Sequence, residues 1–78
     1  MEKKYYALYR EIKGKILSGE YRAGEKLPSK RVMADRVGVS LVTVETAYGM
    51  LEDEGYIQPK ERSGYFVNRI DALVSSGS

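Results

Sequence analysis

Three helices followed by a two-stranded β-hairpin, a mostly α fold with a small β element, is the architecture this sequence predicts. Three observations carry it. Amphipathic runs end at Gly19, Gly38 and Gly55, and two of them open on serines, Ser29 and Ser40. Only Val39 separates Gly38 from Ser40, so the second and third helices are joined by a very short turn. After Gly55 two β-prone runs, Tyr56-Ile57-Gln58 and Tyr65-Phe66-Val67, flank Pro59-Lys60-Glu61-Arg62-Ser63-Gly64.

The first helix is expected over Tyr5 to Ser18. Tyr5, Leu8, Tyr9, Ile12, Ile16 and Leu17 recur at helical spacing, and Arg10, Glu11, Lys13 and Lys15 fall off that stripe. Gly14 lies inside and costs up to ~1 kcal/mol against Ala, so this helix relies on packing. Tyr5, Tyr6 and Tyr9 read first as core or rim residues and second as a partner surface. Glu20 to Lys26 is a polar connection anchored by Tyr21, with Ala23-Gly24 as its turn. Leu27 returns to the core as a very short strand.

Pro28-Ser29 opens the second helix, because a serine hydroxyl accepts one of the orphan amide protons of a first turn. Met33, Ala34 and Val37 form its expected buried face, with Lys30, Arg31, Asp35 and Arg36 outside. Ser40 opens the third helix and Gly55 closes it, since glycine takes the left-handed conformation without steric cost. At about 100° per residue Val44, Ala47, Tyr48 and Leu51 share one side of it. Val42, Glu45, Thr46, Gly49 and Asp53 point away. In the hairpin, Ile57 and Phe66 are the expected inward residues. Residues 1–68 should form the domain, and 69–78 the start of a linker or an appended tail. That tail is expected to fray, with Ile70, Leu73 and Val74 as the apolar residues of any short helix in it.

Composition removes several functions. A chain of 78 residues holds one modest core. It has no Cys, which excludes disulfides and thiolate metal sites, and no His, the commonest general base and metal ligand. Glu20 with Glu25, or Glu52 with Glu54, lack an accompanying electrophile or ligand set, and Ser63-Gly64 has no histidine to activate it. The chain is therefore expected to be no enzyme and to need no cofactor or metal of its own. No apolar run approaches the ~20 residues of a membrane span, and MEKKYYALYR lacks a signal-peptide core, so a cytoplasmic protein without membrane contact is expected.

What remains points to nucleic acid. Two helices joined by so short a turn cannot lie antiparallel; they cross steeply, as in a helix-turn-helix, whose second helix enters the DNA major groove. With the hairpin added this is a winged helix-turn-helix. The net charge of +2 is mildly basic. The outer tip of the third helix, Ser40, Leu41, Val42, Thr43 and Thr46, is nearly uncharged, which suits close approach to base edges, where hydroxyls hydrogen-bond and methyls meet thymine. Lys30 and Arg31, at the start of the second helix, are candidates for phosphate or a nearby base edge. Lys60, Arg62, Ser63 and Gly64, at the hairpin tip, are candidates for the adjacent minor groove or its phosphates. The acidic run Glu52-Asp53-Glu54 would repel phosphate and should point away from it. The plainer readings are a solvated hairpin tip for Lys60 and Arg62, and capping alone for Ser40.

Ile16-Leu17-Ser18-Gly19, Gly24-Glu25-Lys26-Leu27-Pro28-Ser29-Lys30-Arg31, Gly38-Val39-Ser40, Thr43-Val44, Ala47-Tyr48, Leu51, Glu54-Gly55-Tyr56-Ile57 and Ser63-Gly64-Tyr65-Phe66-Val67 stand in one order. That order, over residues 5 to 68, resembles the N-terminal winged-helix domain of GntR-type bacterial transcription regulators. Ala47-Tyr48, Glu54-Gly55-Tyr56 and Ser63-Gly64-Tyr65 are most similar to the MocR-type branch, where a linker leads to a large pyridoxal-phosphate domain like an aminotransferase. The YtrA-like branch, with a small helical segment instead, is the rival. The resemblance implies a fragment of a longer chain, a homodimer on a palindromic or repeated double-stranded operator, and a metabolite sensed by a further domain. It places DNA contacts on Arg31, on Ser40 to Thr43 and on the Gly64 wing. The family often carries Arg or Lys where this chain has Leu41, and some members a second Arg where it has Glu45. Each lost bidentate contact is worth about 1–3 kcal/mol, which implies weak binding by the fragment and a changed base preference. The reading from another class is a winged helix that binds protein through the hairpin and the uncharged tip.

Overall fold

A computed structural model of the chain describes residues 3–60 and 64–69. In chain order it consists of α1 (Lys4–Ser18), α2 (Lys30–Val37), α3 (Leu41–Asp53), β1 (Ile57–Lys60) and β2 (Gly64–Val67). The boundaries follow the local signals. Ser29 accepts from the Val32 amide and Ser40 from the Thr43 amide, while Gly19 and Gly38 end α1 and α2 in the left-handed region, at φ 90° and 72°. Gly55, at φ 84°, follows the last turn of α3 and lets the Tyr56 amide reach back to the Leu51 carbonyl.

The strands pair antiparallel with Ile57 opposite Val67 and Lys60 opposite Gly64. Pro59 is tolerated because β1 is an edge strand, with one partner only. The other edge of β2 is covered by the connection after α1. Leu27 donates its amide to the Tyr65 carbonyl, Val67 to Glu25 and Gly24 to Val67, and Lys26 bridges Phe66. In place of the short strand expected at Leu27 there is a single antiparallel bridge one residue earlier, at Lys26, and β2 lies between two neighbours.

One core joins these elements. Leu8, Tyr9, Ile12 and Ile16 of α1 meet Val44, Ala47, Tyr48 and Leu51 of α3, closed by Leu27, Met33, Ile57 and Val67. Four expectations need correction. The inward partner of Ile57 is Val67, because pairing puts Phe66 opposite Gln58 on the other face. Leu17 is 51% exposed and Val37 37%, since each sits at the margin of its stripe in the last turn of its helix. The expected loop was also too long: Pro59, Lys60 and Gly64 belong to the strands, with only 61–63 between them.

Tyr48 is fully buried, yet its hydroxyl donates to the Pro28 carbonyl at 2.7 Å, and its ring meets that of Tyr65 edge-on at 5.2 Å. Burial pushes its pKa well above the ordinary 10.0, with Tyr21 and Tyr65 raising it further and Arg36 opposing. Tyr9 is raised as well, chiefly by its hydrogen bond to Glu54. A tyrosine whose folded pKa is raised contributes stability that is complete below its unfolded value and is lost as pH rises through the folded one. The Lys13 ammonium, raised by the hydrogen bond it donates to the Tyr9 hydroxyl, acts in the same direction. The melting temperature should therefore fall steeply above about pH 10. Tyr48→Phe should cost about 1–3 kcal/mol at neutral pH, by orphaning the Pro28 carbonyl, and should make the alkaline decline shallower. Circular-dichroism melts of both chains from pH 7 to 11 check this.

Candidate nucleic-acid interface

The tip of α3 is open. Ser40, Leu41 and Val42 are exposed, Val42 to 68%, and Thr43 is half-buried. The Ser40 hydroxyl lies 2.9 Å from the Thr43 hydroxyl and also accepts the Thr43 amide proton. One of the pair donates to the other, so one O–H is left to donate outward. Capping and an external contact are thus compatible. Thr46 differs: its hydroxyl donates to the Val42 carbonyl at 3.0 Å, which leaves it two lone pairs and a methyl.

The candidate cations stand on other elements than this tip. Arg31 is exposed in the first turn of α2. Lys30 beside it is half-buried, its ammonium 5.2 Å from the centre of the Tyr65 ring, which draws the start of α2 against β2. Tyr65 in turn leans on Tyr48, so α2, α3 and the hairpin meet at these rings. On the other face of the hairpin the Lys60 ammonium sits 4.9 Å from the Phe66 ring. Lys26 shares that face through its bridge to Phe66, and its Cε would lie 3.2 Å from a Cβ at Gly64. Gly64 itself has φ 102°, in the region that favours glycine.

At the far end, Lys13 pairs with Glu54 at 3.9 Å, and Lys15 with Glu11 and Glu20 at 3.6 and 3.7 Å. Glu54 is further held by the Tyr9 hydroxyl, which fixes the acidic end of α3 against α1. Among the described residues, Lys26, Lys30, Arg31 and Lys60 form no ion pair with a carboxylate. The same holds of Lys3, Lys4, Arg22 and Arg36. The cations at the start of α2 and on the hairpin are thus not neutralised by carboxylates and can meet phosphate.

Of the residues expected from sequence, Lys30 and Arg31 stand in the first turn of α2, Lys60 and Gly64 at the loop ends of the two strands, and Ser40, Leu41, Val42, Thr43 and Thr46 at the start and on the outer surface of α3. Lys30 and Lys60 sit against opposite faces of the hairpin. Arg62 and Ser63 lie outside the described residues. Lys26 was missed. It stands in a polar connection with no periodicity, and a single bridge to β2 leaves no pattern; its place immediately before Leu27 was the available signal.

Three helices, a short turn and an antiparallel hairpin define a winged helix-turn-helix domain. Residues 4–67 match the family described as bacterial regulatory proteins, gntR family, and the chain belongs to it. It is 46% identical over 68 residues to the uncharacterized HTH-type transcriptional regulator YdeL of Bacillus subtilis (strain 168), covering 87% of this chain and 15% of that protein. With the probable rhizopine catabolism regulatory protein MocR of Rhizobium meliloti it shares 38% identity over 73 residues, 91% of this chain and 15% of MocR. The chain thus spans about 15% of the length of these relatives. Its fold superposes on AraR(DBD) in complex with operator ORR3 with a TM-score of 0.81 and 30% identity, covering 86% of this chain and 81% of the other. The domain is accordingly that of a DNA-binding transcription regulator, not an enzyme.

Two glycines separate conformational need from mere tolerance. Gly64→Ala should destabilise by roughly 1–3 kcal/mol, because its φ of 102° is strained for alanine. Gly14→Ala, inside α1 with nothing within 4 Å of the added carbon, should stabilise by up to ~1 kcal/mol. Urea denaturation of the two variants checks the opposite signs.

Proposed function

We propose that this chain reads operator DNA with α3 in the major groove, the start of α2 on the flanking phosphates and the hairpin at the adjacent minor groove. One observation carries the reading: the tip of α3 at Ser40, Leu41 and Val42 is exposed and uncharged, while Lys30 and Arg31 at the start of α2 and Lys60 on the hairpin pair with no carboxylate among the described residues. In this arrangement Lys30 and Arg31 hold phosphates, and the Ser40–Thr43 pair gives its spare hydroxyl hydrogen to a phosphate or base edge. Leu41, Val42 and Thr46 meet base edges. Lys60 and Gly64, with Arg62 and Ser63, meet the minor groove or its phosphates, and Lys26 joins them.

The likeness to MocR supports a longer regulator of that branch, homodimeric, acting in the cytoplasm on a palindromic or repeated operator. A pyridoxal-phosphate domain would follow the reader there, and the cofactor would belong to that domain, none to this chain. No helix among the described residues is long and apolar enough to cross a membrane. The exposed Leu41 and Val42 favour a second reading, in which the tip binds protein instead.

A salt titration separates the two. Binding of the 78-residue chain to duplex DNA, followed by fluorescence anisotropy, should weaken steeply and linearly in log K against log salt; an apolar protein contact would show little dependence. Arg31→Ala should lower affinity for all duplexes alike and reduce the slope by about 0.9, the value for one phosphate neutralised. An unchanged slope would take Arg31 off the phosphate backbone.

A further inference from the structure

The recognition helix lacks every side chain that makes a bidentate contact with a purine. Over Leu41–Asp53 it reads LVTVETAYGMLED, with no Arg or Lys for guanine and no Asn or Gln for adenine. Its outward positions offer instead Leu41, 41% exposed, Val42, 68% exposed, and Thr46, whose hydroxyl proton is committed to the Val42 carbonyl. Leaving a branched aliphatic group as open as Val42 is unfavourable in water, and Val42 and Thr46 lie side by side one turn apart. In the major groove one base alone carries an apolar group, the C5-methyl of thymine.

We propose that this domain selects its operator through thymine methyl groups, read by Val42 and Thr46 with Leu41 at the rim. The inference rests on the DNA-reading function above and gives it a chemical code. Affinity comes from Lys26, Lys30, Arg31 and Lys60, which stand off the helix; discrimination comes from apolar contact. Glu45, on the same exposed surface, only accepts, so it is compatible with the N4 amino group of cytosine and opposes the acceptor edge of guanine. The operator half-site is therefore thymine-rich where α3 lies, with no requirement for guanine there.

The test removes only the methyl. Duplexes are selected from a randomised pool on the immobilised 78-residue chain at low salt, and the selected duplex is remade with deoxyuridine at each thymine in turn. Loss of one read methyl should weaken binding roughly fourfold, the equivalent of one buried methylene. Val42→Ala and Thr46→Ser should each erase the deoxyuridine penalty at one position; the serine keeps the bond to the Val42 carbonyl and loses only its methyl. Circular dichroism verifies that both variants fold, as expected for exposed positions. A selected duplex indifferent to deoxyuridine overturns the proposal, and so does a penalty that survives both substitutions. Failure to select any duplex with salt-dependent binding overturns the DNA-reading function itself, a result distinct from either.

Discussion

The buried hydroxyl of Tyr48 donates to the carbonyl of Pro28, and the three parts of the reading side depend on that bond. Pro28 stands immediately before the Ser29 cap, so the bond fixes where α2 begins and how Lys30 and Arg31 sit relative to α3. The same ring receives Tyr65 at right angles, and Tyr65 carries the Lys30 ammonium over its face. A single buried side chain thus ties helix to helix and both to the hairpin. Its cost is a polar atom deep in the core, offset by a hydrogen bond to a backbone acceptor that would otherwise need its own partner.

A second polar anchor does for the opposite end what Tyr48 does for the reading end. Tyr9 lends its hydroxyl to Glu54, and Lys13 lies near the same carboxylate and over both the Tyr9 and Tyr56 rings. Asn68 donates its side-chain amide to the Gly55 carbonyl, bringing the end of β2 to the same corner. These contacts hold Glu54, just past the end of α3, against Lys13 and Tyr9 of α1. A net charge of +2 by itself says little about DNA.

How much of this the sequence could reveal depends on the range of the interaction. The three helices and their ends were legible because caps and glycines act within a few residues: Ser29, Ser40, Gly19, Gly38 and Gly55 all serve as expected. The core face of α3 was legible from periodicity. The hairpin was legible as an element but not in register, since three apolar or aromatic residues in a row, Tyr65, Phe66 and Val67, give alternation no polar reference. The rings that carry the lysines, Lys30 on Tyr65 and Lys60 on Phe66, join positions remote in sequence or diagonal across strands, and no local pattern announces them. Lys26 belongs to the same class. In α3, by contrast, the residue types that are missing from the exposed face were as informative as those present.

That absence shapes how the domain must work. Contacts to phosphate supply affinity but hold no sequence information, and methyl contacts supply discrimination in small steps. Under the proposed thymine-methyl code, a single domain would bind many duplexes weakly and prefer some of them by modest factors. Two such domains joined in one molecule multiply those factors, because the second half-site is met at the effective concentration set by the linkage. Modest discrimination per domain then becomes strong discrimination per operator. A reader without bidentate purine contacts therefore gains more from pairing than one that carries them.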